Sequence, residues 1–153
     1  MKQFKLFSIM KNYFCHIPII CFLAMNTLFG NYAFKKKVKE VCKSYRISIE
    51  SSQLELGNSE VIITMESGRN NFEMYMLVGF ASAGQAIAHQ TEMNLSNAYT
   101  PLVVSLNIAV PASRNEFNTF IASCNSEMAI SLANGSMDSS EFMQEIMKNI
   151  KIQ

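Results

Sequence analysis

A chain of 153 residues, 49% apolar and 16% charged, can bury about two-thirds of its extended surface in one core and is too short for two comfortable domains. That composition excludes a disordered tract, a collagen repeat and a coiled coil. A formal net charge of +1 lacks the basic excess of a dedicated nucleic-acid binder.

Residues 1–12 carry Lys2, Lys5 and Lys11 and no acid, and residues 13–29 form an apolar run broken by His16, Pro18, Asn26 and Thr27. The outline fits a secretory signal with Ala33 at its cleavage site, or a membrane anchor that is marginal in length. Lys35, Lys36, Lys37, Lys39, Lys43 and Arg46 crowd the next stretch against Glu40. Positive charge beyond an apolar segment resists translocation and keeps the downstream chain on the cytoplasmic side. Two other readings stand beside this one: a start at Met25, leaving a cytoplasmic protein, and export. Residues 1–33 are therefore read as a separate segment (signal, anchor or extension), with membrane contact through 13–29, and residues 34–153 as the domain. From residue 47 onward eleven acids face Arg69, Arg114, Lys148 and Lys151, a net of −7. The near-neutral total thus hides a basic flank and an acidic body, which suits a tail-first approach to an anionic surface as well as an ordinary solvated domain.

Residues 34–44 place Val38, Val41 and Cys42 on one side of a short helix, with lysines around the rest. At Tyr45, Ile47 and Ile49 the apolar period changes to two, predicting a strand. Residues 53–56 then lead through Gly57-Asn58, a tight-turn pair, into a strand over 60–66 with Val61, Ile63 and Met65 inward. The stretch 72–94 has no charge from Met74 to Thr91. Phe72, Met76, Phe80, Ala83 and Ile87 share one helical face, and small residues at 79, 81–84, 86 and 88 allow close approach by other backbones. Gln85, His89 and Gln90 argue against a membrane span. Two interior glycines cost about 1 kcal/mol each in propensity, so tight packing must offset them.

Residues 102–110 alternate, with Val104, Leu106, Ile108 and Val110 on one face, and Pro111 is expected to end that strand. Ser113 and Glu116 have the spacing of a capping box. They predict a helix to about residue 133 with Phe117, Phe120, Ile121, Cys124 and Met128 inward, stopped at Asn134-Gly135. Asp138 and Glu141 form a second box opening a last helix. The order α-β-β-α-β-α-α predicts a single two-layer α+β domain, a long central helix packed on a small sheet. The link from second to third strand reads as a parallel crossover.

Glycine-rich phosphate loops, H-E-x-x-H, EF-hand and G-x-S-x-G patterns are all missing from the sequence. Cysteines at 15, 21, 42 and 124 form no CxxC pair. Cys42 and Cys124 would pair on export and act as small buried hydrophobes in a reducing compartment. With His89 the lone domain histidine, neither a metal nor another cofactor is implied. His89 with Gln85 and Glu92 is the polar-site candidate, a general base for a hydrolase or lyase. Phe142, Met143, Ile146 and Met147 form the candidate interaction surface of the last helix, since methionines adapt to a partner. The leading expectation is a non-catalytic protein-interaction module that self-associates, held near a membrane by its N-terminus. A binding domain for a small apolar ligand or client peptide in a Met/Phe-lined cleft is the alternative, and a His89-dependent enzyme the third. No nucleic-acid partner is expected.

Overall fold

The computed structural model describes residues 30–94, 97–113 and 116–153. The first helix, α1, covers residues 30–44. Residues 30–33, assigned from sequence to the N-terminal segment, therefore belong to it. Its end is a Schellman cap: the Ile47 amide donates to the Cys42 carbonyl at 3.0 Å and the Arg46 amide to Lys43 at 2.9 Å. Arg46 takes the left-handed position of that cap, with φ of 61°, a place that ordinarily favours glycine.

A 3-10 turn, Ser51–Gln53, leads into β1 (Leu54–Leu56) and β2 (Glu60–Glu66). The two pair antiparallel, Leu54 opposite Ile63 and Leu56 opposite Val61, and the Gly57 amide closes the expected hairpin on the Glu60 carbonyl at 2.8 Å. Helix α2 spans Phe72–Glu92 and returns the chain to β3 (Val103–Ser113), parallel to β2. Then come β4 (Glu116–Asn125), α3 (Ser126–Ala133), α4 (Ser139–Met147) and β5 (Lys151–Ile152). Sheet order follows chain order, β1-β2-β3-β4-β5, with the one parallel pair at β2/β3. The fold is α+β, with the helices layered on one face of a mixed sheet.

Three local expectations change. Residues 47–50 are not a strand of the sheet. Ile47 and Ile49 do bury alternately, at 4% and 3% exposure, but the segment runs as a strap beside α1. The Lys35 ammonium donates to the Ser51 carbonyl across it at 2.9 Å. Pro111 does not end β3. It lies beyond Glu66, the last β2 residue in the ladder, where its missing N–H removes no bond on that side. There the Arg69 guanidinium takes the place of a neighbouring strand, donating to the carbonyls of Pro111 at 2.9 Å and Ala112 at 2.6 Å.

The largest change is at 116–125, expected as helix and found as β4. It pairs antiparallel with β3, Cys124 opposite Val104, Ala122 opposite Leu106 and Phe120 opposite Ile108. The Ser113 hydroxyl still reaches the Glu116 carboxylate, at 2.5 Å, but across the mouth of a hairpin. Helix α3 starts only after Asn125, whose side chain accepts from the Met128 amide at 2.8 Å. Beyond α4, residues 151–152 add β5 against Phe120 and Ile121. The Asn134-Gly135 stop and the Asp138 cap stand as expected. Gly135 has φ of 77°, and the Asp138 carboxylate accepts from the Ser140 amide at 2.8 Å.

All layers meet at α2. Gly79 faces the sheet: a Cβ there would stand 2.8 Å from Leu106 Cδ1 and 3.4 Å from Met65 Cε. Gly84 faces α3, where a Cβ would fall 2.1 Å from the Ala129 carbonyl oxygen. Phe80 meets Phe142 of α4 edge-on with ring centroids 5.2 Å apart. Gln90, 1% exposed, donates to the Gly30 carbonyl at 3.0 Å and accepts from the Tyr99 amide at 2.6 Å. It thereby ties α1 and the loop before β3 to the same helix.

The two helix glycines should respond differently to alanine. Gly84→Ala drives a carbon into backbone that cannot swing aside, and is expected to lower stability by about 2 kcal/mol in urea titration. Gly79→Ala meets only side-chain ends and gains about 1 kcal/mol of helix propensity, so its midpoint should stay near that of the wild type. Arg46→Gly should raise the midpoint, since it relieves a left-handed residue worth about 1 kcal/mol.

Candidate functional site

Helix α1 turns Phe34, Val38 and Cys42 inward, so helical spacing puts Tyr32, Lys35, Lys36, Lys39 and Lys43 along its outer side. The strap 46–51 runs beside that side, and the two enclose a groove of about 720 Å³. Arg46 adds a fifth cation to its lining, Ile47 and Ile49 supply apolar floor, and Tyr32, 70% exposed, stands in the wall. The acids nearby are too few to neutralise it. Glu40 lies 3.9 Å from Lys36 and Glu50 lies 3.9 Å from Lys39, both pairs well exposed and therefore weak. Lys37 points elsewhere, into the cleft that holds His89.

The second surface is the sheet face turned away from α2. Alternation sends Val61, Ile63 and Met65 toward the helices and Glu60, Ile62 and Thr64 the other way. On that far side Ile62, Val103 and Ile121 are only half-buried, and Phe117 is 57% exposed. At its centre the Ser105 hydroxyl lies 2.6 Å from a Glu60 carboxylate oxygen and 2.8 Å from the Ser123 hydroxyl. Burial, and then the charge of Glu60, push the Tyr99 phenol up to about 12. The Tyr99 hydroxyl lies 2.8 Å from the Gly57 carbonyl and 2.9 Å from that of Glu60, fastening the β1–β2 turn.

Gln85, His89 and Glu92 do come together, at one turn per step along α2. They line a cleft of about 230 Å³ with Lys37, Ala133 and Asn134. That is smaller than the usual 300–1,000 Å³ or so of a ligand pocket, and His89 is exposed. The candidate interaction surface of α4 divides. Phe142 and Ile146 are core residues at 0% and 2% exposure, while Met147 is 45% exposed. Met143 and Met147 line a groove of about 550 Å³ with Glu73, Gln144 and Lys148, and no phenylalanine reaches it.

Cys42 and Cys124 are both free and buried. Cys42 lies against Ser82 of α2, whereas Cys124, at the end of β4, lies against Ala129 of α3. Burial raises both thiols, Cys42 with partial relief from Ser82 and Cys124 to about 12. Neither has the electropositive, accessible setting of a nucleophile. Among the described residues no group of three or more histidine, cysteine, aspartate or glutamate side chains is placed to hold a metal ion, and no helix is long and apolar enough to cross a membrane. The apolar run 13–29, with Cys15, Cys21 and His16, lies outside the described residues. The groove between α1 and the strap was legible only as a run of lysines, because its second wall depends on where 46–51 travels. No family model, curated protein or solved structure matches the chain.

Two outcomes are expected for the thiols. Brief alkylation at pH 8 should leave peptides containing Cys42 and Cys124 unmodified in mass spectra until urea unfolds the protein. The second concerns alkali. Folding keeps the Cys124 thiol protonated to about 12, while the unfolded chain ionises near 9.0. The associated stability is therefore whole below pH 9 and is lost as pH rises through about 12. Urea midpoints should fall across that window, and Cys124→Ala should flatten part of the fall.

Proposed function

We propose that this chain is a non-catalytic interaction module that self-associates through the open face of its sheet and is held near a membrane by its N-terminal segment. The observation that carries the reading is the far sheet face, where Ile62, Val103 and Ile121 stay half-buried beside an exposed Phe117. The sheet edges argue in the same direction. β1 has three residues and β5 has two, too little exposed ladder to template strand pairing with another chain. Assembly is therefore by faces.

The available area sets the strength. Seven residues of strand at about 3.3 Å each, across β2, β3 and β4 about 4.8 Å apart, give roughly 330 Å², to which the short β1 and β5 add roughly 80 Å². A standard interface buries about 800 Å² per partner, so the association is weak and reversible. The shallow His89 cleft and the inert thiols favour this reading over catalysis. The His89 enzyme and the apolar-ligand cleft lack a comparable surface.

Light scattering on the full chain over increasing concentration should show a mass rising from one copy toward two, with a dissociation constant in the range of about 1–100 µM. Ile121→Lys, a change at a half-exposed site, should weaken that association by about tenfold or more while preserving the urea midpoint. A strict monomer at the top of the range overturns self-association.

A further inference from the structure

We propose that the basic groove between α1 and the strap 46–51 is a docking surface for an anionic lipid bilayer. The proposal rests on the membrane part of the proposed function and is independent of self-association.

Three observations meet at this groove. First, it concentrates charge that the rest of the molecule opposes. Lys35, Lys36, Lys39, Lys43 and Arg46 line one cavity, while residues 47–153 carry a net of −7. An anionic plane would attract the groove, whose lining carries five cations against Glu40, and would be opposed by the net-negative remainder of the chain, which favours contact through the groove. Lys35 and Lys43 stand eight positions apart on the helix, about 12 Å, so the cations act over a distance comparable with the screening length of about 8 Å at physiological salt.

Second, the groove comes directly after the apolar run. The apolar run 13–29 ends at residue 29, and the first groove lysine, Lys35, comes six residues later. A basic cluster immediately beyond an apolar segment is where anionic headgroups would meet it. Third, the groove is not purely ionic. Its floor is made by Ile47 and Ile49, and the Tyr32 ring is 70% exposed, an amphipathic group suited to the headgroup level. A single-stranded nucleic acid would instead call for aromatics interleaved with the cations, and among the described lining residues Tyr32 is the one aromatic ring.

The test is sedimentation of the full chain with phosphatidylcholine vesicles and with vesicles containing about 30% phosphatidylserine, at about 0.1 M salt. Binding to the neutral vesicles reports the apolar segment alone, and the increment on phosphatidylserine reports the groove. The wild type should bind the anionic vesicles on the order of a hundredfold more tightly, an increment that high salt abolishes. Replacing Lys35, Lys36, Lys39 and Lys43 together by glutamine should erase the increment and leave neutral-vesicle binding unchanged. Lys36→Gln and Lys43→Gln alone, at exposed sites, should each remove part of it, which keeps the test decisive if the fourfold variant fails to fold. A control with Lys37, Lys148 and Lys151 replaced by glutamine should retain most of it. Equal binding to both vesicle types overturns the proposal. So does an increment that survives the fourfold substitution, an equal loss in the control, or tighter binding of a single-stranded oligonucleotide than of anionic vesicles.

Discussion

At Gly84 the α2 backbone runs so close to α3 that one added carbon would fall 2.1 Å from a carbonyl oxygen, and at Gly79 the same helix leaves room for Leu106 and Met65 of the sheet. These two approaches explain why a helix would tolerate two residues of poor propensity in its middle. They also explain why α2 is almost free of charge: with Ser82, Ala83, Gly84 and Ala86 all buried, most of its circumference is covered, and an ionised side chain there would lack both solvent and a partner. The one large polar group it buries, Gln90, is satisfied on both sides by Gly30 and Tyr99.

The surfaces of the molecule derive from that constraint. Helices gathered around α2 lie on one side of the sheet, and the other side is left with isoleucines, a valine and a serine–glutamate–serine network. Because α1 docks on α2 through its apolar side, its lysines must face outward. The Schellman cap at Arg46 then turns the strap back along α1, converting a charged helix face into a groove with an apolar floor. Charge is thereby segregated without any need for strong ion pairs: the pairs of Lys36 with Glu40 and Lys39 with Glu50 are both 3.9 Å apart and exposed.

Sequence alone was decisive wherever local chemistry decides the structure. The Gly57-Asn58 turn, the Asn134-Gly135 stop, the Asp138 cap and the uncharged stretch of α2 each depend on residues close in the chain. Residues 116–125 were misread because two patterns coexist there. Phe117, Phe120, Ile121, Cys124 and Met128 recur at helical spacing, while Phe120, Ala122 and Cys124 alternate, and only pairing with β3 decides between them. Ser113 and Glu116 misled for a related reason, since three-residue spacing suits a hairpin mouth as well as a helix cap. The strap at 46–51 shows the converse: true alternation of buried Ile47 and Ile49, with no neighbouring strand to receive it. Of the candidate site, the lysines and the Gln85–His89–Glu92 cluster were visible as helical spacings. The carbonyl clamp by Arg69, the Gln90 bridge and the depth of the basic groove depend on segments 9 to 60 residues apart, beyond any local pattern.

If α2 is the hub on which every layer docks, it must be the last element to come apart. Native-state hydrogen exchange across 76–90 measures this directly, because an amide released only by global unfolding exchanges with the free energy of the whole molecule. Those amides are expected to match the unfolding free energy from urea titration, with α4 and β5 exchanging earlier. Exchange of 76–90 through a smaller local opening, while the sheet stays protected, would contradict it.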